Sequence, residues 1–457
     1  MSSASSYDYV VIGAGSAGCV VASRLSEDPD VTVLLLEAGN DGLIEVVRNP
    51  QVWPTLAGTE RDWGYETVAQ RGTGHRHDLP RGRGVGGSHS INAMAFMRGH
   101  RTDFDSWAYA GNPCWSYEQV LSYFKRMEDV PHGDPRYRGH GGPLAIGPTA
   151  GPHPLTVAFV EACQQAGHPL RRDFNCGELD GTGLHDMTIV DGHRQTTADA
   201  YLRPVLSRPN VTIEMGASVH RLPLENGRCT GVEYRRDGRL ERARADGEVV
   251  LCAGAIDSPR LLLLSGIGDP EHLSDLGIER VADLPGVGHN LHDHILLRGI
   301  CVQARQPIPA GTGNLGEAVL YWRSDEGLPG PDLQIVLVYA AFHNPWQQAS
   351  ANAYTFAVAH MRPASRGKLR LASRDPAQRP LIDPNYLGQR HDLEKLVTGV
   401  QKALELRTQP AFADWRGPDA MSGIENAGPR ALAEFVKQGV STFSHAVGTC
   451  RSYGSVI

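Results

Sequence analysis

The sequence predicts an α/β (α+β) fold, with a parallel sheet in one unit and an antiparallel sheet in a second. Three observations carry this. An apolar run near the N-terminus, Tyr9-Val10-Val11-Ile12, passes directly into Gly13-Ala14-Gly15-Ser16-Ala17-Gly18. A second apolar run, Val31–Leu36, ends at Glu37. From about residue 295 the texture changes to runs that alternate apolar and charged positions, as half-exposed antiparallel strands do.

The first run reads as a buried parallel strand, because no position in it is reserved for water. The glycines then turn it into a helix. Gly13 permits the tight turn, Gly15 lets a pyrophosphate approach the backbone, and Gly18 lets helix and strand pack closely. The helix start, at Ser16 and Ala17, offers free N–H groups and a positive dipole end to phosphates. Glu37 follows Gly18 by 19 residues (37 − 18), about where this fingerprint places an acid for ribose hydroxyls. A lone GxGxxG is a weak signal, whereas one bracketed by two apolar strands and closed by an acid is strong. An acid there disfavours a 2′-phosphate, so FAD or NAD is expected rather than NADP.

A chain of 457 residues is more than one core comfortably holds, which suggests two interlocked domains. The net charge of −7 gives no reason to expect nucleic acid or an anionic membrane as partner. The 19 histidines are scattered, and pairs such as His75/His77 and His292/His294 lack metal-site spacing, so no metal is expected. The eight cysteines form no CxxC pair and fit reduced thiols in a cytoplasmic protein. No signal segment or bilayer-length apolar stretch is present in the sequence.

Further elements follow in order. Residues 39–100 read as a long irregular stretch that would be improbable unless functional. Trp115 to Met127 has helical spacing, with Ser116 as candidate N-cap. Thr197 to Leu206 resembles a helix. Val211–Ile213 and Gly231–Tyr234 look like strands, with a turn at Asn226-Gly227. Glu248–Leu251 leads through Cys252 and Ala253 to Gly254 as a second buried strand ending in glycine. A helix then starts near Ser258. Leu333–Tyr339, Tyr354–His360 and Lys368–Leu371 read as strands, and Leu393–Leu406 carries a helical core stripe.

Four motifs together carry a resemblance. They are Gly82 to Gly99, Gly254 to Gly268, Leu284 to His294, and Ser444-His445-Ala446-Val447-Gly448-Thr449-Cys450-Arg451. In this order they resemble the glucose–methanol–choline (GMC) flavoprotein oxidoreductases, nearly end to end. The resemblance implies a Rossmann-like FAD-binding domain with a parallel sheet, plus a substrate domain with an antiparallel sheet flanked by helices. The expected division is discontinuous. Residues 1–165, 192–294 and 440–457 would bind FAD, and 166–191 and 295–439 would bind substrate.

It also implies the chemistry: FAD-dependent oxidation of a small-molecule alcohol, by base-assisted hydride transfer to flavin N5. The acceptor of the flavin's electrons, O2 or another, is not legible. His445 matches the family's catalytic base, a task that suits imidazole. Cofactor contacts would come from Gly13, Gly15, Ser16, Ala17, Gly18, Glu37, Ala38, Arg83, Gly86, Gly87, Asn92, Ala93, Met94, Ala95, Val219, Ala253, Gly254 and Ser258. Ile91 occupies the position where some members carry a flavin-linking histidine, so non-covalent FAD is expected. His89 stands where the family usually has a small residue. The sequence ends 12 residues after His445 (457 − 445), before the family's second polar active-site residue and a helix facing the flavin. That motivates one alternative, a truncated inactive chain. A second, an FAD-dependent hydroxynitrile lyase, follows because the same fold also hosts hydroxynitrile lyases.

Overall fold

The computed structural model describes residues 5–41, 45–420 and 423–451. The N-terminal run forms strand β1 (Ser5–Ile12), helix α1 (Ser16–Leu25) and strand β2 (Val33–Glu37). β1 and β2 lie parallel, with Val10 beside Leu34 and Ile12 beside Leu36. Val211–Met215 continues the parallel sheet beyond β2, and Arg239–Leu251 continues it beyond β1. Gly231–Arg236 and Ser218–Arg221 extend that second edge in the antiparallel sense, giving six strands. Val10–Ile12 and Leu34–Leu36, in the middle of the sheet, are apolar and buried because both faces are covered there. Val10, Ile12, Leu34 and Leu36 pack into one core, and Val11, Val33 and Leu35 pack against Ala14, Cys19 and Ala22 in another.

The second sheet is antiparallel. Ile295–Ala304 pairs with Ala353–His360, which pairs with Leu333–Val338, then Ala318–Trp322, then Gly181–Leu184. On its other side Ile295–Ala304 takes Arg416–Ala420 and Val440–Thr442. Alternation gives this sheet two faces. One carries the largest core, where helices Pro154–Gln165, Arg390–Leu406 and Pro429–Gly439 lay Phe159, Val400 and Val436 against Leu297, Leu333 and Phe356. The other face packs Leu296, Val338, Ala357 and Ala359 with Phe342 and Phe443.

Three features depart from the sequence reading. Helix Pro154–Gln165, assigned from sequence to the first unit, buries Leu155, Phe159 and Ala162 in the second core. The stretch 197–206 is not one regular helix but a π-helical turn, Ala198–Leu202, followed by a 3-10 turn, Arg203–Val205. Pro204 brings no N–H and cannot continue an α-helical ladder. Gly367–Arg370 stays out of the large sheet and pairs with His289–Leu291 and Leu381–Asp383. Its Leu369 joins Leu79, Leu263, Leu291 and Ala446 in a core that spans both units.

Among the described residues no helix is long and apolar enough to cross a membrane. No group of three or more His, Cys, Asp or Glu side chains among them is placed to hold a metal ion.

Candidate active site

The glycine turn after β1 is shaped by backbone contacts. Gly13 adopts φ +95°, and a Cβ there would lie 2.7 Å from the Cys252 carbonyl oxygen. A Cβ at Gly18 would lie 1.8 Å from the Gly13 carbonyl oxygen. Gly15 is different: a Cβ would meet nothing closer than Gly87 Cα at 3.9 Å, so open space lies before it. Ser16 and Ala17 are exposed at the start of α1, whose first turn holds no acidic residue and no side-chain cap. The N-terminal amides are therefore free for an anion. Gly254, at φ +76°, opens helix Gly254–Leu264, and a Cβ there would meet nothing within 4 Å. Neighbouring Ala253 is half-buried and abuts Gly13, and Ser258 is buried one turn along.

Glu37 is buried, and its carboxylate is a hub. Oε2 accepts the Ala14 N–H at 2.8 Å, while Oε1 accepts those of Gly39 at 2.8 Å and Gly84 at 3.0 Å. It ties the fingerprint turn to the loop after β2, which begins at half-buried Ala38, and to the 82–87 loop. A carboxylate offers about four lone-pair sites. Three serve the backbone, which leaves one, on Oε2, for a ribose hydroxyl.

The 81–95 loop leans on that turn. Gly86 donates its N–H to the Ala14 carbonyl at 2.8 Å, and a Cβ at Gly87 would lie 2.8 Å from Gly15 Cα. Arg83 is exposed, its guanidinium 5.1 Å from the centre of the Trp63 ring. Asn92 Oδ1 accepts the Met94 N–H at 3.0 Å and Arg194 Nη1 at 2.8 Å. Arg194 also donates to the carbonyls of His89 and Asn92, so this buried arginine clamps the loop. The Ala93 carbonyl accepts from Asn314, Met94 is buried at φ +59°, and Ala95 pairs with Met187. His89 Nδ1 accepts the Thr197 N–H at 3.2 Å, so its Nε2 carries the proton toward Thr188 Oγ1 at 3.0 Å. Burial, helped by the Arg194 charge, lowers its pKa to about 4. Val219 is half-buried on the antiparallel edge of the first sheet, beside Tyr234.

His445 sits on a turn clamped to the segment 287–294. His292 and Val447 exchange both backbone hydrogen bonds at 2.9 and 3.1 Å, and Gly288 donates to the Thr449 carbonyl at 2.7 Å. The turn needs Ser444 at φ +63°, a left-handed conformation that costs a non-glycine residue free energy. Buried Asp293 holds it there. Its Oδ1 accepts the His445 N–H at 2.8 Å, and its Oδ2 accepts the hydroxyls of Thr442 at 2.5 Å and Tyr386 at 2.6 Å. Arg81 Nη1 grips the Ser444 carbonyl at 2.6 Å.

One side of the His445 ring is open. Nδ1 lies 2.9 Å from His294 Nδ1, which leaves Nε2 as the unengaged ring nitrogen. Surrounding protein, with the Arg81 charge as a smaller cause, lowers the His445 pKa to about 4. Burial and then His445 itself lower that of His294 to about 3. Both imidazoles are neutral at neutral pH. One Nδ1 must then carry a proton and the other accept it.

The structure thus brings the fingerprint glycines, Glu37, Gly86, Gly87, Ala253 and Gly254 around one open space. It places Arg83 against Trp63 and Val219 in the sheet edge. Asp293, His294, Arg81 and Arg194 were given no role from sequence. Asp293 and His294 lie inside a quoted motif. Arg194 gave no signal, because its partners, three main-chain carbonyls and the Asn92 side chain, lie 100 or more residues away.

Comparison with known proteins gives this geometry a family. The N-terminal profile of the GMC oxidoreductases matches residues 7–296, and the C-terminal profile matches residues 363–452. Mitochondrial choline dehydrogenase of Homo sapiens is 39% identical over 480 residues, covering 97% of this chain and 80% of that protein. Oxygen-dependent choline dehydrogenase of Rhizobium rhizogenes is 37% identical, covering 97% of this chain and 85% of that protein. Among solved structures, pyridoxine 4-oxidase from Mesorbium loti superposes with a TM-score of 0.94 at 36% identity, covering 97% of this chain and 89% of that one. The open ground before Gly15 and Gly254, two free helix starts and the remaining acceptor site on Glu37 fit a dinucleotide. The chain belongs to the GMC oxidoreductase family and is an FAD-dependent alcohol oxidoreductase.

Proposed function

We propose that this chain oxidises the CH–OH group of a small alcohol with His445 as the base, in a cleft whose FAD is held without a covalent bond. The observation that carries the base assignment is the His445 ring itself. It presents one face to open space and is fixed by Asp293 through the backbone and by His294 through Nδ1. Flavin supplies the two-electron acceptor when bound, and the remaining tasks fall to the chain. For Nε2 to take the hydroxyl proton, His445 must carry its own proton on Nδ1 and donate it to His294 Nδ1. His294 must then be neutral and protonated on Nε2, and its lowered pKa keeps it so. Asp293 orients the turn without touching the ring. Burial, with the Arg81 charge as a smaller cause, disfavours a positive charge on the ring, which keeps the imidazole unprotonated and ready.

Around the expected flavin contacts, Asn92 and Met94 spend their N–H groups on Ser88 and on the Asn92 side chain. They support the reading by fixing the loop's shape. Ile91 supports non-covalent attachment, since it offers no nucleophile. The eight free thiols support a reducing, cytoplasmic setting.

The test is anaerobic mixing of the FAD-loaded protein with primary alcohols, starting with choline and pyridoxine because relatives carry those names. Bleaching of the flavin absorbance is expected, and a lyase would leave it unchanged. Reoxidation by O2 then separates oxidase from dehydrogenase. Acid precipitation should leave all flavin in the supernatant.

A further inference from the structure

Arg298 stands out among the half-buried charges. Its guanidinium lies over the Phe342 ring, 5.3 Å from the centre, and its Nε is buried without a hydrogen-bond partner. A buried donor left unmade is costly. Arg81, Arg98, Arg138, Arg194, Arg260 and Arg407 also leave one buried nitrogen unpaired, but each of those guanidiniums makes other hydrogen bonds. That of Arg298 makes none among the described residues. Arg98, Arg138 and Arg362 all reach carboxylates. Asp78 is the carboxylate whose field reaches Arg298, and no ion pair joins them.

The location matters as much as the missing partner. Phe342 belongs to the apolar cluster on the sheet face that includes Leu296 and Phe443. Phe443 is also the ring beside the base, 4.5 Å from the His445 ring centre. Phe342 also meets Trp53 edge-on at 6.4 Å. Trp53 donates to the carbonyl of Asn314, whose side chain reaches Ala93 on the loop beside the cradle. Phe443, beside His445, and Phe342, under the guanidinium, thus pack on one apolar cluster, and a guanidinium with an unsatisfied N–H lies at the Phe342 end of it. Such a fork matches a planar carboxylate, and stacking on an aromatic face is how arginine is held ready for one.

We propose that Arg298 is a specificity-determining residue and that the alcohol this chain oxidises carries a carboxylate at the end remote from its hydroxyl. Flat apolar structure lies between the two groups. This rests on the reading of the cleft beside His445 as the place where the alcohol binds. The hydroxyl faces His445, the ring of the substrate lies along Phe443 and Phe342, and the carboxylate meets Arg298. A quaternary ammonium in place of the carboxylate would put like charges together.

The test uses the FAD-loaded enzyme and a charge series of one shape. para-Toluate, para-toluamide and para-methylbenzyltrimethylammonium lack the hydroxyl, so their binding is read from flavin absorbance without turnover. The carboxylate should bind roughly 10- to 100-fold more tightly than the amide, the worth of a charge-assisted hydrogen bond, and the ammonium more weakly still. In R298Q the carboxylate-to-amide ratio should fall to near one, and R298K should recover part of it. Equal binding of carboxylate and amide by the wild type, tighter binding of the ammonium, or an unchanged ratio in R298Q would overturn the proposal. If R298Q does not retain FAD, the wild-type series alone decides. The corresponding para-hydroxymethyl compounds then test turnover. If none of them bleaches the flavin while the binding ratio holds, the reading of this cleft as the alcohol site fails, and Arg298 is an anion site without a role in substrate choice.

Discussion

The nucleotide cradle and the base-bearing cleft are built by opposite means. The cradle is made of backbone. Gly13, Gly15 and Gly18 fall within six residues, and their value is the absence of side chains. The cleft is made of side chains drawn from distant parts of the sequence: Arg81, Asp293, His294, Tyr386, Thr442 and His445. A backbone-made site fails when an atom is added, and a side-chain-made site fails when one is removed or its partner is lost. The two regions should therefore respond to different substitutions with different readouts.

The largest effect is expected in the cleft. His445→Ala should slow anaerobic flavin reduction by an alcohol roughly 10²–10⁴-fold, the usual worth of a general base, with FAD content measured first. A variant within a few-fold of wild type would remove His445 from the chemistry. Asp293→Asn comes next. It keeps the size but swaps an acceptor for a donor opposite groups that need acceptors. The imidazole loses its fixed position, and kcat should fall about 10²-fold, as a misplacement of about 1 Å can cost. If Asp293→Asn instead strips the FAD, cradle and cleft are not separable. In the cradle, Glu37→Gln should weaken FAD retention about 10- to 100-fold, seen as flavin lost on gel filtration, because the hub loses charge-assisted bonds. Full FAD retention would show that the Glu37 ties contribute nothing to the cradle.

Smaller effects sharpen the same contrast. Gly13→Ala should destabilise the apo chain by about 1–2 kcal/mol from φ alone, with the Cys252 clash added. Gly15→Ala, which meets no atom closer than 3.9 Å, should stay within about 0.5 kcal/mol. Denaturant unfolding of both apo variants checks the pair, and equal losses would count against open space before Gly15. The last expectation concerns pH. His89 and His185, lowered to about 4, and His294, lowered to about 3, resist protonation when folded but bind a proton near pH 6.5 when unfolded. The unfolded state therefore takes up more protons below about 6.5, and stability falls as pH drops from there toward 4. Each such histidine contributes at most about 1.4 kcal/mol per pH unit. Urea unfolding at pH 7 and pH 5 should give a lower midpoint at pH 5, and a higher one would reverse the sign of the argument.

This contrast also explains what was legible. The β1–α1–β2 unit could be read because steric demands on neighbouring residues leave glycines in fixed spacing. Glu37 was identifiable as the acid of that fingerprint, but its ties to Gly39 and Gly84 depend on loop packing. Asp293 lay in plain view inside a motif. Its meaning comes from a tyrosine 93 residues away and a threonine 149 residues away, which no local pattern announces. The pairing of His294 with His445, 151 residues apart, is hidden for the same reason. Helix Pro154–Gln165 has an ordinary apolar stripe, and nothing in that stripe says which of two cores will receive it.

The clamp between residues 287–294 and 443–451 has a kinetic side. Its bonds join positions about 150 residues apart, and the grip of Arg81 on the Ser444 carbonyl spans 363. Closing such loops costs entropy before any contact rewards it, so long-range contacts form slowly. The Ser444 turn is strained and depends on Asp293 and Arg81 already being in place. Assembly of the reactive end is thus expected late in folding, after both sheets. On refolding with FAD, the expected outcome is that recovery of protein-bound flavin, read by gel filtration, runs ahead of recovery of turnover.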